Sequence, residues 1–326
     1  MHPAFSVIFL TTLIGAGQGL FLALYTGQVY AVAEVLSAQS NPQTFYGIGS
    51  LLALVLLVAG LAASFFHLGH PERAWRSAAR WRTSWLSREV LVLPAFIGMV
   101  AIYGLIHYLG MDVEVFRISD KVSISLSLVA GAITAVLGFA LFLCTSMIYA
   151  CMKFLQEWHT PLTVVNYTLL GSTSGFTLAA AFAAWGANEF TQFYIGWAIL
   201  FSVLSFITKI ASMIRNQRIQ SISSLQTAIG IRHPNIVQKA QGAMGGSFNT
   251  REFSHGKSDG FIKGMQWIFM VFTFLIPVTL LLACMSNPSV GLLAAAFVIQ
   301  YLGLIAERWL FFAQSSHPQN LYYQTV

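Results

Sequence analysis

HLGHPERAWRSAARWRTSWLSRE, residues 67–89, lies between two long apolar runs, and its composition decides what kind of fold the chain adopts. It gathers five arginines (Arg73, Arg76, Arg80, Arg82, Arg88), three tryptophans (Trp75, Trp81, Trp85) and two histidines (His67, His70). A basic, aromatic collar of this kind suits a loop at a membrane–water interface, where cations meet headgroups and indole rings sit half wet. His67 closes the apolar run before the collar and Glu89 opens the run after it. An ionisable pair at the mouths of two adjacent membrane helices marks a place where a lipid-soluble molecule meets water.

The rest of the chain agrees with a membrane setting. Of 326 residues 56% are hydrophobic and only 9% charged, with mean hydropathy +0.70. Soluble domains carry about a quarter charged residues, so an integral membrane protein is expected. Apolar stretches of about 20 residues, the length that spans a bilayer, recur along the whole sequence. They predict an all-α bundle of eight transmembrane helices at 5–35, 46–66, 89–109, 122–152, 161–185, 190–214, 264–286 and 289–313, within a single membrane domain covering 1–326. Residues 2–20 lack a basic leading region and run apolar for too long to be a cleaved signal, so a retained first helix is expected. The small residues of Gly15-Ala16-Gly17-Gln18-Gly19 suit close helix contact. Cys144, Cys151 and Cys284 lack C-x-x-C spacing and are too few for an iron–sulfur or zinc site, which takes about four clustered ligands.

Charge assigns the sides. If the termini and the connections 67–88, 153–160 and 215–263 share one face, called face A, it holds 15 of the 17 basic residues, and only Arg117 and Lys121 remain for face B. Such asymmetry predicts that face A is cytoplasmic in an inner membrane, with both termini inside. Trp158, Trp267 and Trp309 are expected to join the loop tryptophans in an interfacial belt there. In the long basic cytoplasmic loop 215–263, Ile219, Ile222, Leu225 and Ile229 have the spacing of a short amphipathic interfacial helix. The glycine-rich part that follows either docks a soluble partner or holds anionic lipid. No nucleic-acid partner is expected, because the basic surplus follows membrane topology.

Ionisable groups inside spans are costly and few here. Reducing a quinone takes two electrons and two protons, and its carbonyl oxygens need hydrogen-bond donors that also pass a proton. Histidine titrates near neutrality, and a carboxyl in a half-dry pocket can do the same work. His67 and Glu89 are therefore the candidate catalytic pair, with Arg73, Arg88 and Trp75 as further quinone-binding residues. On residue types alone a structural account stands beside it, in which His67 caps the second helix and Glu89 pairs with Arg88 or Arg73. No two histidines lie well within spans facing one another, so no haem is expected. Glu307-Arg308 forms a structural or headgroup pair, or enters the cavity wall if the last helix packs on the second and third.

An apolar helix ending in His67-Leu68-Gly69, followed by Pro71, Arg73-Ala74-Trp75 and a serine-rich turn into Ser87-Arg88-Glu89, resembles the membrane anchor subunits of dimethyl-sulfoxide-reductase-type molybdoenzymes. The helix count and the Glu307-Arg308 pair are similar as well. The resemblance implies a haem-free quinone or quinol site, fed through a four-cluster iron–sulfur subunit from a molybdopterin catalytic subunit. It also implies that the family's quinone-site histidine falls on His67 and its glutamate on Glu89. WRTSWLSRE and the long 215–263 loop resemble the branch that holds the anchors of cytoplasmic sulfite dehydrogenases, which implies ubiquinone or menaquinone as electron acceptor. A quinol-oxidising anchor of a reductase and a purely structural tether remain the alternatives. A transporter is disfavoured, because the spans lack paired midplane charges and broken-helix repeats.

Overall fold

A computed structural model describes residues 4–37, 41–117, 123–186, 188–220, 224–237 and 257–318. The long helices are α1 (Phe5–Val32), α2 (Pro42–Phe65), α3 (Trp85–Tyr108), α4 (Leu126–Ala150), α5 (Pro161–Gly186) and α6 (Thr191–Gln217). After the short α7 (Leu225–Ile229) come α8 (Asp259–Met270), a π-helical turn at Val271–Leu275, α9 (Ile276–Ala283) and α10 (Val290–Ala313). The π turn joins α8 to α9 in one rod of 25 residues, 259–283. Helix starts follow local chemistry: Asn41, Ser84, Ser125, Ser258 and Ser289 each accept a backbone N–H in the first turn of the helix they precede.

Seven of these helices are long and apolar enough to cross a membrane: α1, α2, α3, α4, α6, the 259–283 rod and α10. The eighth, α5, has 26 residues but a more polar sequence, and its position explains why. Its Thr163, Asn166, Ser172, Thr173, Ser174 and Thr177 are buried among neighbouring helices. Several find partners inside the bundle, as in Thr173 to Ser205 (2.8 Å) and Thr208 to Asn166 (2.8 Å). A helix that faces protein on most sides can be polar where a lipid-facing one cannot. The chain is a multi-pass membrane protein built on eight long helices.

α1 and α5 are the centre. α1 packs on α2, α4, α5 and α10, and α5 packs on α1, α4, α6 and α10. The apolar part of α1 is 67% buried, against 22–39% in the other six apolar spans. The two central helices touch backbone to backbone where Gly15 and Gly19 meet Gly171 and Gly175.

Several sequence expectations need correction. The fourth helix does not start at 122. A two-stranded antiparallel hairpin, β1 (Glu114–Arg117) and β2 (Ser123–Ser125), comes first. Asp112 then accepts from the Ser127 backbone N–H (2.8 Å) and hydroxyl (2.7 Å), which fixes the entry into α4. The amphipathic helix expected over Ile219–Ile229 is only the five residues of α7, because the Ser224–Thr227 capping box starts it late and Gly230 at φ +73° ends it. Ile222 and residues 238–256 lie outside the described residues. In the expected tryptophan belt, Trp267 is exposed, whereas Trp158 and Trp309 are packed inside; the Trp158 indole N–H donates to the Phe311 carbonyl (2.8 Å). Cys151 is exposed at the end of α4, unlike the buried Cys144 and Cys284.

Candidate functional site

Helical spacing decides where Glu89 points. Residues 89, 93, 96, 100, 103 and 107 recur at intervals of three and four, and all six, from Glu89 through Leu93, Phe96, Val100 and Tyr103 to His107, are buried. Glu89 therefore lies on the bundle-facing stripe of α3, one turn in from its start. Thr145 on α4 donates its hydroxyl to Glu89 Oε1 at 2.5 Å, the one hydrogen bond the carboxyl makes among the described residues.

Glu89 lines a cavity enclosed by α1, α3, α4, α5 and α10. Its polar wall is Gln18, Glu89, Thr145, Tyr167 and Arg308, set among apolar groups such as Ile14, Phe142 and Leu304. Among the lining residues only Leu10, Thr11 and Gly15, all on α1, are partly exposed. Inside there is room for about 30 Å³ of water, enough for one or two molecules.

Arg308 gives the cavity its charge. Its Nε pairs with Glu307 Oε2 at 2.6 Å, and Lys209 of α6 pairs with the other oxygen of Glu307. The guanidinium lies 3.9 Å from the centre of the Tyr167 ring, and that ring stacks on Tyr149. Lys209, Arg308 and Glu307 sum to one positive charge, so an anionic carboxyl at Glu89 would bring the cluster to neutrality, as a buried cluster requires. Arg308 Nη1 and the Tyr167 hydroxyl are buried within reach of each other, and neither makes a hydrogen bond of good geometry. Buried donors with hydrogen-bonding capacity left over are satisfied by water or by an oxygen of a ligand.

The remaining sequence candidates lie elsewhere. His67 is exposed just past the end of α2, beside Phe66 at 86% exposure, and does not line the Glu89 cavity. Partial desolvation lowers its pKa below the usual histidine value, which favours the neutral ring. Arg73 sits 3.6 Å from Glu72 on the surface of the 3₁₀ segment Pro71–Arg80, and Trp75 is 71% exposed. Arg88 turns away from Glu89: it donates to the carbonyls of Trp81 (2.9 Å) and Arg82 (2.8 Å) and lies 4.2 Å over Trp85. The cavity brings Glu89 together with Gln18, Thr145, Tyr167 and Arg308, and its wall includes none of His67, Arg73, Arg88 or Trp75.

Arg88 is instead the anchor of the collar. Its two charge-assisted bonds hold the last turn of the loop against α3. Arg88→Ala is expected to raise the rate of tryptic cleavage at Arg73, Arg76, Arg80 or Arg82 several-fold in the detergent-solubilised protein. Equal cleavage rates in wild type and variant would show that the loop is held by other contacts.

A second polar cluster lies near face B. Tyr103 donates to Gln28 Oε1 (2.8 Å), Gln28 donates to Ser127 (2.6 Å), and the His107 Nε2 lies 3.4 Å from Gln28 Nε2. Asp112 closes the cluster through Ser127. Its groups satisfy one another.

A bundle of eight long helices among the described residues, with a basic loop at one end and a buried, charged cavity between the helices, suits a membrane anchor. The chain belongs to the DMSO reductase anchor subunit (DmsC) family, whose model matches residues 1–314. It is 53% identical to a sulfite dehydrogenase subunit of Allochromatium vinosum over 326 residues, all of both proteins. It is 26% identical to a subunit of the anaerobic dimethyl sulfoxide reductase of Haemophilus influenzae over 175 residues, 54% of this protein and 57% of that one.

Proposed function

We propose that this protein is the membrane anchor and quinone-reactive subunit of a molybdopterin oxidoreductase that couples sulfite oxidation to quinone reduction. The observation that carries the proposal is the Glu89 cavity: a buried carboxyl that shares its walls with the Tyr167 hydroxyl and the Arg308 guanidinium, within the face A half of the bundle. Electrons arrive one at a time from a cluster of the partner iron–sulfur subunit, docked on face A and fed by the molybdopterin subunit. The quinone takes up two electrons and two protons and leaves as quinol. Face A is cytoplasmic in this proposal, in agreement with the basic loops.

The residues divide the work. A quinone ring needs a pocket of some hundreds of Å³, so it docks at the partly exposed edge of the cavity along α1, at Leu10, Thr11 and Gly15. From there one carbonyl oxygen reaches Tyr167 and Arg308, beside Glu89, whose carboxyl takes up protons and hands them on. His67, neutral and at the membrane-facing end of α2, serves as a second proton group outside the cavity. Arg73, Arg88 and Trp75 form the outer collar past which the headgroup enters.

Binding of a fluorescent quinone analogue tests the proposal directly. The purified complex is expected to quench it saturably, with release by excess ubiquinone or menaquinone. Absence of saturable quenching would leave the protein a structural tether. The sulfite assignment rests on likeness to the Allochromatium protein. A complex that turns over only with quinol as donor would move this anchor to the reductase side of the family.

A further inference from the structure

Three spaces lie end to end between the surface of face A and Glu89. The outermost is a vestibule of about 450 Å³, walled by the ends of α6 and α10, the start of α8 and Glu157 from the α4–α5 connection. Glu157, Asn216 and Gln314 line this vestibule and also the next space, a small cavity around Lys209 and Glu307. Tyr167 and Arg308 line that middle cavity and also the Glu89 cavity, as a partition between them. The middle and inner cavities offer about 20 and 30 Å³ to water, one or two molecules in each.

The walls suit a proton. Every neck between successive spaces is bordered by a polar or titratable side chain: Glu157, Asn216 and Gln314 at the outer one, Tyr167 and Arg308 at the inner one. Polar cavities of this size hold ordered water, and Tyr167 and Arg308, which line both inner spaces, give that water polar partners.

The opposite direction is closed. Between Glu89 and His107 on the inner stripe of α3 stand Leu93, Phe96 and Val100, at 5%, 0% and 0% exposure. Phe21 packs edge-on against Phe96 (5.9 Å) and Tyr103 (5.2 Å) and fills the gap towards α1. The face B cluster, from Tyr103 to His107, lies about 21 to 27 Å along α3 from Glu89, at 1.5 Å per residue, behind this plug.

We propose that the proton exchanged at Glu89 travels to and from face A through these three spaces, with Glu157 as the outer relay and Tyr167–Arg308 as the inner partition, so that quinone turnover moves no net charge across the membrane. The inference rests on the quinone role of Glu89 given above. Electrons enter from the partner on face A, and each quinone takes up two of them with two protons from that same side. Supply from face B would instead separate two charges per quinone. The same route run backwards would carry protons out during quinol oxidation.

The test uses the whole complex in sealed liposomes with face A outward, an impermeant reduced viologen as donor, a short-chain ubiquinone as acceptor and a potential-sensitive dye. Quinone reduction is expected with no more potential than in ionophore-treated vesicles. Glu157→Gln is expected to slow it on the order of tenfold and to raise the solvent deuterium isotope effect, with quinone-analogue binding unchanged. Glu157→Asp, which keeps a carboxyl, should restore most of the rate. A potential that tracks turnover would overturn the route and leave the quinone site standing. So would a wild-type rate and isotope effect in Glu157→Gln, or no recovery in Glu157→Asp. Failure of wild type both to bind the analogue and to reduce ubiquinone would remove the quinone role and the route together.

Discussion

Glu89→Gln is expected to lower quinone turnover by about two to four orders of magnitude, the usual worth of a positioned general acid or base, in a complex that still assembles. The amide has nearly the shape of the carboxyl, and its carbonyl oxygen can still accept the Thr145 hydroxyl now held at 2.5 Å. Assembly should therefore survive. What disappears is a group able to hold and release a proton, together with a negative charge facing the Arg308–Glu307–Lys209 cluster. The control is the partner's own chemistry, assayed with a soluble acceptor that never meets this cavity. His67→Ala separates the two residues of the sequence motif. Its imidazole is outside the cavity wall, so a several-fold loss is expected rather than the collapse expected for Glu89→Gln. Wild-type quinone kinetics in Glu89→Gln would end the assignment of this cavity, whatever the His67 variant did.

The different fates of these two residues show what a linear sequence can convey. The burial of Glu89, as distinct from its role, is a local property: a carboxyl in register with Leu93, Phe96 and Val100 on one helix faces whatever those residues face. His67 sits just past a helix end, where no periodic register exists, and nothing in its neighbours showed that it would be exposed beside Phe66. The expected ion pairs of Glu89 with Arg88 or Arg73 failed for a related reason. A charged neighbour in sequence had better partners, the loop carbonyls for Arg88 and Glu72 for Arg73. Gln18, Thr145 and Tyr167 come from three other helices, and the packing of α4 on α3 and of α1 on α4 and α5 brings them to Glu89. Their signals were present but unspecific: an amide inside a glycine stripe, hydroxyls in apolar runs. Arg308 was visible as a charge in the last helix. It reached the cavity through contacts of α10 with α5 and α1, with α2 and α3 absent from its main neighbours. The membrane setting and the count of long helices needed no tertiary information. They follow from the cost of moving charge and unpaired backbone into hydrocarbon.

Gly175→Leu is expected to abolish accumulation of folded protein, and Gly175→Ala to lower its melting temperature by several degrees, since overpacking costs about 1–3 kcal/mol even where neighbours are flexible side chains. Here the neighbours are backbone. A Cβ on Gly175 would stand 2.0 Å from the carbonyl carbon of Gly19 and 2.2 Å from the Leu20 nitrogen, and one on Gly19 would stand 2.1 Å from the Gly171 oxygen. No rotamer change relieves such contacts, so α1 and α5 must move apart. These two helices form the centre of the bundle, and with little hydrophobic drive between helices in lipid, close packing is the main attraction left to lose. Separation would also widen the Glu89 cavity, whose wall includes Gln18 of α1 and Gly171 and Ser174 of α5. Gly98→Ala and Gly196→Ala are the matched controls, since a Cβ at either position meets nothing within 4 Å. They should melt with wild type or slightly above it, because alanine costs a helix less than glycine. Size-exclusion profiles and thermal melts of the purified protein decide the matter: a folded Gly175→Leu protein melting with its controls would mean that the α1–α5 crossing does not hold the bundle together.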